Sequence, residues 1–358
     1  MIYRESGLFK SNYTDDQSIF PIPQDQIVVW AGIAFAFVGV PLLANEYVLQ
    51  AVMIPFLIFA LAAIGLNILT GYAGQVSLGT GAFMAVGGYA TYKITTNIPD
   101  INILVVFLLA GLITAGVGIL FGLPSLRIKG FYLAVATLAA QFFILWLFNK
   151  VGWFFNNNPS GTITAPPREI FGLIVTGPWA TAQTRYLFSL GILVVFALIA
   201  KNLVRGRIGR SWMAIRDMDI AAEIIGIRPL HTKLLAFAIS SFYCGLAGAM
   251  MVFLWLGSAE TEAFDIFVSF QVLFMVIIGG LGSILGSILG AGFIIMVPIL
   301  LTNIPHMLNL PLAADLSKHI EQIIFGVMIV YILIVEPHGM ARFWQIAKEK
   351  LRRWPFPY

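Results

Sequence analysis

Two long stretches of this chain carry no charge. Residues 47–92 and 266–314 contain no Asp, Glu, Lys or Arg. One bilayer-spanning helix takes about 20 apolar residues, so each stretch holds more than one crossing. The rest of the chain agrees. Of 358 residues, 59% are hydrophobic and 11% charged, with mean hydropathy +0.90, whereas soluble domains average about 25% charged. So few charges cannot cover a water-facing surface. The fold class that follows is an all-α polytopic membrane protein.

Ten spans fit the apolar runs: roughly 27–44, 48–70, 80–97, 103–123, 131–149, 187–204, 234–256, 267–284, 286–304 and 319–336. They make a transmembrane domain over 27–336, with tails at 1–26 and 337–358. Basic residues accumulate on the cytoplasmic side of a membrane, and one orientation satisfies every loop. With residues 1–26 inside, Arg127 and Lys129 of the loop 123–130 lie inside. So do the island 205–233 and the tail cations Arg342, Lys348, Lys350, Arg352 and Arg353. The outer segments hold fewer cations: Lys150, Arg168 and Arg185 in the long loop 150–186, and Lys318. That same pattern accounts for the net charge of +4 without nucleic acid. The loop 150–186 is rich in Asn, Pro, Gly and Thr, which favour turns. It suits either a plain solvated loop or a docking surface for an outer partner.

The island, RGRIGRSWMAIRDMDIAAEIIGIRPLHTK, holds six cations (Arg205, Arg207, Arg210, Arg216, Arg228, Lys233) and three acids (Asp217, Asp219, Glu223). Each cation at a bilayer centre would cost about 2.5–3.5 kcal/mol, so the island lies in water. Within it, residues 217–226 read as a short helix. Asp217 suits the N-cap, Asp219 the positive helix start, Gly226 a left-handed C-cap, and Pro229 blocks continuation. Met218, Ala221, Ala222 and Ile225 fall at helical spacing as one apolar stripe, with Glu223 facing elsewhere. Such a stripe fits a narrow groove on another protein, or the headgroup layer of a bilayer.

Glycines gather in two further places. In GGLGSILGSILG (279–290), Gly282, Gly286 and Gly290 are spaced for one helix face and close helix packing, and Gly118 and Gly122 repeat the spacing. In GLNILTGYAGQVSLGTGAF (65–83), Gly71, Gly74, Gly79 and Gly81 interrupt an apolar run that also carries Asn67, Gln75, Ser77 and Thr80. Irregular backbone at membrane depth is tolerated only inside protein or along a watery cavity. The cluster therefore marks either a translocation path bordered by Asn67, Gly71, Gly74, Gln75, Ser77 and Gly79, or polar packing between helices. Pro55 and Pro298 are expected to kink their spans. Cys244, the only cysteine, sits in an apolar run as a small buried hydrophobe.

Several chemistries find no residues. The histidines His231, His306, His319 and His338 are scattered, without metal-ligand spacing. No nucleophile–base set is readable, so no catalytic residue is assigned. The dipeptide Gly-Lys is absent, and with it any phosphate loop. Ionisable residues near spans (Lys93, Glu321, Glu336) lie at their ends, so no relay crosses the membrane. A chain like this neither hydrolyses ATP nor couples visibly to ions, and uphill transport would draw energy from another subunit. The alternative is a stand-alone secondary transporter or channel.

Four stretches, in order, resemble one family. GRSWMAIRDMDIAAEIIGI followed by KLLAFAISSFYCGLAGAM is similar to the cytoplasmic loop and next span of ABC importer permeases, in particular the LivM-like permeases of the branched-chain amino acid family. GLNILTGYAGQVSLGTGAF, GLPSLRIKGFYLAVATLA and VLFMVIIGGLGSILGSILGAG resemble that family's other signature stretches. The resemblance implies a bacterial inner-membrane importer with a second permease subunit, two ATPase subunits that use ATP, and a periplasmic binding protein. No cofactor is implied on this chain. It also implies that Arg216, Asp217, Ala221, Ala222, Glu223 and Gly226 belong to the segment that docks with an ATPase, since Ala221, Ala222 and Gly226 match the motif's Ala-Ala-x-x-x-Gly core. Three positions depart from the pattern. Ile220 stands where Glu is frequent, Thr80 replaces a common His, and SGTITAPP (160–167) lacks a Gly-Gly-x-x-Gly. The solute thus stays open between a branched-chain amino acid and another small polar molecule such as urea, an amide or an aromatic acid.

Overall fold

The computed structural model describes residues 23–125, 132–170, 172–307 and 339–353, with isolated positions between 320 and 334. The chain forms α1 (Pro23–Ala34, carried on through a π-helical Phe35–Gly39 and Val40–Leu43) and α2 (Ile54–Asn67, between π-helical Val48–Met53 and Ile68–Tyr72). Next come α3 (Thr80–Asn97), α4 (Ile103–Ser125), α5 (Tyr132–Lys150) and α6 (Ala182–Arg205). The island follows as α7 (Arg207–Asp217) and α8 (Asp219–Ile224). The remainder is α9 (Pro229–Met250, continued by π-helical Met251–Leu256), α10 (Ile266–Gly279), α11 (Ile284–Met307) and α12 (Met340–Arg353).

Among the described residues, seven helices are long and apolar enough to cross a membrane. They match the expected spans at 27–44, 48–70, 103–123, 131–149, 187–204, 234–256 and 267–284. Two more expected spans, 80–97 and 286–304, are helices α3 and α11. In α3, Thr91, Lys93, Thr95, Thr96 and Asn97 lower the hydropathy, whereas α11 is apolar over Ile284–Leu300. The span 319–336, the loop cations Arg127 and Lys129, and most of the tail 1–26 lie outside the described residues. Within the expected tail 337–358, helix α12 occupies Met340–Arg353.

Burial ranks the helices. Almost every residue of α2 from Ile54 to Asn67 is buried, as are Tyr243–Leu254 of α9 and Thr80–Tyr89 of α3. These three make the centre. A helix apolar on every side belongs there. Around it, α4, α5 and α6 turn Leu112, Leu120, Phe142, Trp146 and Val195 outward, as a lipid-facing layer should.

The centre closes through glycines. A Cβ on Gly87 would overlap the carbonyl of Gly245, and one on Gly248 would overlap that of Met84, so α3 and α9 cross with backbones in contact. Gly118 and Gly122 of α4 meet Ser241 and Phe237 of α9. Gly286 and Gly290 of α11 press on Gly279 and Met275 of α10. Gly282 departs from the expected alignment. It precedes α11, in the turn between α10 and α11, with φ +75°. There the glycine serves the turn and not a helix face. Pro55 falls at the first turn of α2, just after the π-helical stretch; Pro298 is carried within α11, which runs on to Met307.

Loops sort into two groups. At one end, Arg216 of α7, Gly71 and the turn Gly280–Ser283 meet, and Gly339 abuts Gly280. At the other, strand Ile163–Thr164 pairs antiparallel with Ser258–Ala259, Arg168 donates to the carbonyls of Thr95 and Pro99, and Lys93 donates to Asn156. The long loop also holds a hairpin of Arg168–Ile170 and Leu173–Thr176. The charge argument places the first group inside and the second outside, so the two groupings coincide.

Candidate transport and coupling site

The island is two helices where the sequence suggests one. Arg207–Asp217 forms a helix that buries Gly209, Trp212 and Ile215, with the Trp212 indole donating to Thr232 O at 3.0 Å. The chain breaks at Met218 (φ −160°, ψ 98°), so Met218, not Asp217, is the N-cap of α8. The C-terminal cap is as expected from Gly226, which has φ +91°. Gly226 N–H donates to Glu223 O at 3.0 Å and Ile227 N–H to Ala222 O at 3.0 Å. This pair of bonds is the Schellman arrangement. Lys233 ties α8 to α9 through Asp219 at 2.9 Å.

The apolar stripe is rotated from its expected position. Ala222 is turned in (2% exposed), while Met218, Ile220, Ile224 and Ile225 are 64–80% exposed. Ala221 and Glu223 are exposed beside them. Ala222 packs inward because the Met218 break reorients the helix. The face left outside is larger and more apolar than two alanines would make it.

The glycine cluster breaks the helix as expected. After Tyr72 the chain turns at Gly74 (φ +68°) and runs as neither helix nor strand, with a bend at Leu78, until α3 begins at Thr80. Burial alternates along it: Gln75 and Ser77 point inward (6% and 2% exposed) and Val76 outward. The first turn of α3 lies level with the start of α10, since Gly81 N–H donates to Ser269 Oγ at 2.8 Å. Along α10 that is on the order of 20 Å from the Gly280 turn at 1.5 Å per residue. A helix thus starts well inside the protein.

Orphan N–H groups at such a start need partners, and two neighbouring helices supply them. Ala82 N–H donates to Gln141 Oε1 at 2.6 Å, Leu78 N–H to Thr137 Oγ1 at 2.9 Å, and Gln141 Nε2 donates onward to Phe264 O at 2.8 Å. Thr137, Gln141 and Ser269 were not singled out from sequence. The signal was there in Gln141, a lone amide within ATLAAQFFILW.

The candidate path residues separate by role. Asn67 is spent: its Nδ2 donates to Gly280 O (3.3 Å), Ser283 O (2.9 Å) and Ser287 Oγ (2.7 Å), and its Oδ1 accepts from Gly282 N–H (2.9 Å). It latches α2 to the α10–α11 turn and has no polar atom left for a solute. Gly71 lies against Gly282, and Gly79 against Thr137 O, both too close for a side chain. Ser77 Oγ accepts from Gly79 N–H at 3.4 Å. Gln75 differs: both polar atoms of its amide are buried without a partner, as is Thr80 Oγ1. Groups left so cost about 1–3 kcal/mol each and call for an explanation.

The two clusters touch. Arg216 Nη1 donates to Gly71 O at 2.8 Å while its Nη2 lies 2.9 Å from Asp217 Oδ1.

Residues 48–333 match the family model described as "Branched-chain amino acid transport system / permease component". The chain belongs to this family. It is therefore a multi-pass membrane permease component, a transport subunit and not the subunit that hydrolyses ATP. The protein is similar to the high-affinity branched-chain amino acid transport system permease protein LivM of Salmonella typhimurium and to that of Escherichia coli. Each is 29% identical over 304 residues, covering 79% of this chain and 68% of the relative. A probable branched-chain amino acid transport permease protein LivM of Methanocaldococcus jannaschii is 23% identical over 333 residues, covering 82% and 92%. No solved structure matches the chain.

Proposed function

We propose that this chain is one of two permease subunits in an ATP-driven importer of branched-chain amino acids, in a bacterial inner membrane. It works with a second permease, two ATPase subunits and a periplasmic binding protein. The island end faces the cytoplasm, and the end with the strand pair Ile163–Thr164 and Ser258–Ala259 faces the binding protein. One observation carries the assignment: the exposed face of Met218, Ile220, Ala221, Ile224 and Ile225 on a helix capped and tethered at both ends. An apolar face in an otherwise charged loop marks an interaction site. A helix of this length is marginal alone, but the Schellman cap and the Lys233–Asp219 pair hold it ready for an ATPase groove.

Gln75 borders the solute route in this reading, with Ser77 beside it. Its unpaired amide is a polar group kept for something that comes and goes. The relatives' names support the branched-chain amino acid as cargo. During transport, nucleotide binding closes the ATPase pair, α8 moves with it, and the helices rearrange to open the route on the other side. Uptake into proteoliposomes by the complete importer tests this. Leucine, isoleucine or valine should accumulate only with ATP inside and binding protein outside. Ala221→Arg should abolish uptake while the protein still inserts. Normal ATP-driven uptake by that variant would sink the docking assignment.

A further inference from the structure

We infer that Arg216 is a positioning residue that carries movement of the docking helix into the broken segment Gly71–Gly79. The inference rests on the docking role proposed for α8 and adds the route by which that role reaches the solute path.

Arg216 stands on the last turn of α7, two residues before the Met218 break that starts α8. Its guanidinium serves both sides. Nε and Nη2 lie 2.9 Å from Asp217 Oδ1, at the root of α8, and Nη1 donates to Gly71 O at 2.8 Å. Its aliphatic stem fills the space over Gly74, where a Cβ would come within 2.9 Å of Arg216 Cγ. Gly74 is the left-handed turn (φ +68°) from which the segment with Gln75 and Ser77 departs. The opposite flank of Gly71 is held by Gly282, whose N–H is bound by Asn67. The segment thus leaves a fixed point at Asn67 and meets a second support, Arg216, that belongs to the island.

An arginine suits such a link, since its planar fork makes several directed bonds at once where a lysine offers a point charge. The Arg216 side chain is only 38% exposed, so its bond to Gly71 is shielded on one side. A displacement of α8 pulls on Gly71 and Gly74 through Arg216, alongside the Lys233–Asp219 pair that ties α8 to α9.

The test compares transport with hydrolysis in the complete importer in proteoliposomes. Arg216→Met keeps the stem over Gly74 and removes every donor. Solute taken up per ATP hydrolysed should fall about tenfold, the cost of one charge-assisted hydrogen bond, with the ATPase subunits still bound. Arg216→Lys, which keeps one donor for Gly71, should recover most of it. A purely structural residue would lower assembly and hydrolysis together and leave the ratio alone. A second measurement needs no variant: hydrogen exchange of residues 72–79 in the unaltered importer, with and without a non-hydrolysable ATP analogue. Exchange there should change severalfold. An unchanged ratio in Arg216→Met, or unchanged exchange in this segment, overturns the link. Failure of the docking reading shows separately, as normal uptake by Ala221→Arg.

Discussion

Replacing Asn67 by Leu should loosen the island end of the bundle by a predictable amount. The Asn67 side chain is 1% exposed and makes four hydrogen bonds, to Gly280 O, Ser283 O, Ser287 Oγ and Gly282 N–H. Leucine has nearly the same volume and leaves packing largely intact, so the loss is mainly polar. Nδ2 shares two hydrogens among its three acceptors, so with the bond to Oδ1 there are three full bonds, which at an average of about 0.6 kcal/mol between membrane helices give about 1.8 kcal/mol. Ser283 O keeps a partner in Ser287, but among the described residues no other bond is seen for Gly282 N–H or Gly280 O, and orphaning one such group costs about 1–3 kcal/mol. Two orphaned groups set the larger figure, so the loss is about 2–6 kcal/mol, or about 3–8 °C in Tm at about 1.3 °C per kcal/mol for a chain of 358 residues. The protein provides its own probe, since Cys244 is the sole cysteine and is buried. A thiol-reactive fluorophore reports the temperature at which it becomes accessible. Thr96→Ala, which removes an exposed hydroxyl bonded only within its own helix, should leave that temperature unchanged. An Asn67→Leu protein that melts with the wild type would refute the latch.

Gln75→Leu should act in the opposite sense: removing an amide with no partner stabilises by about 1–2 kcal/mol, while uptake falls. A lower melting temperature or undiminished uptake would count against a role in the path. Gly248→Ala should cost about 3 kcal/mol, because the new methyl meets the Met84 backbone, whereas Gly116→Ala, with open space around it, should be neutral or slightly stabilising; the same thermal assay separates them. Gly226→Val should lower ATPase retention during purification with little change in Tm, since a β-branched residue cannot easily hold φ +91° in an exposed cap; equal retention would show that the cap geometry is dispensable.

Much of this architecture was legible in the sequence, and the particular residues show why. Charge is costly in lipid, so apolar runs located nine helices among the described residues, seven of them long and apolar enough to cross a membrane. Gly226 and Pro229 ended α8 by local backbone chemistry. Gly74 and its neighbours announced a broken helix for the same reason: a left-handed turn is a property of one residue.

What needed the tertiary structure was which atoms meet. Asn67 and Gln75 look alike in the sequence, two amides eight positions apart in an apolar run. Only the fold gives one four partners and the other none. Gly282 shares its spacing with Gly286 and Gly290, but α11 begins after it, and its freedom serves a turn. Ala222 turned inward and Ile224 outward because the chain broke at Met218, which no local preference of methionine demands. Arg216 reads as one more cytoplasmic cation until Gly71, 145 positions away, is placed against it. Solvent preference and backbone freedom belong to single residues and are written along the chain. Hydrogen-bond saturation and close approach belong to pairs, and the pairs exist only once the helices have packed.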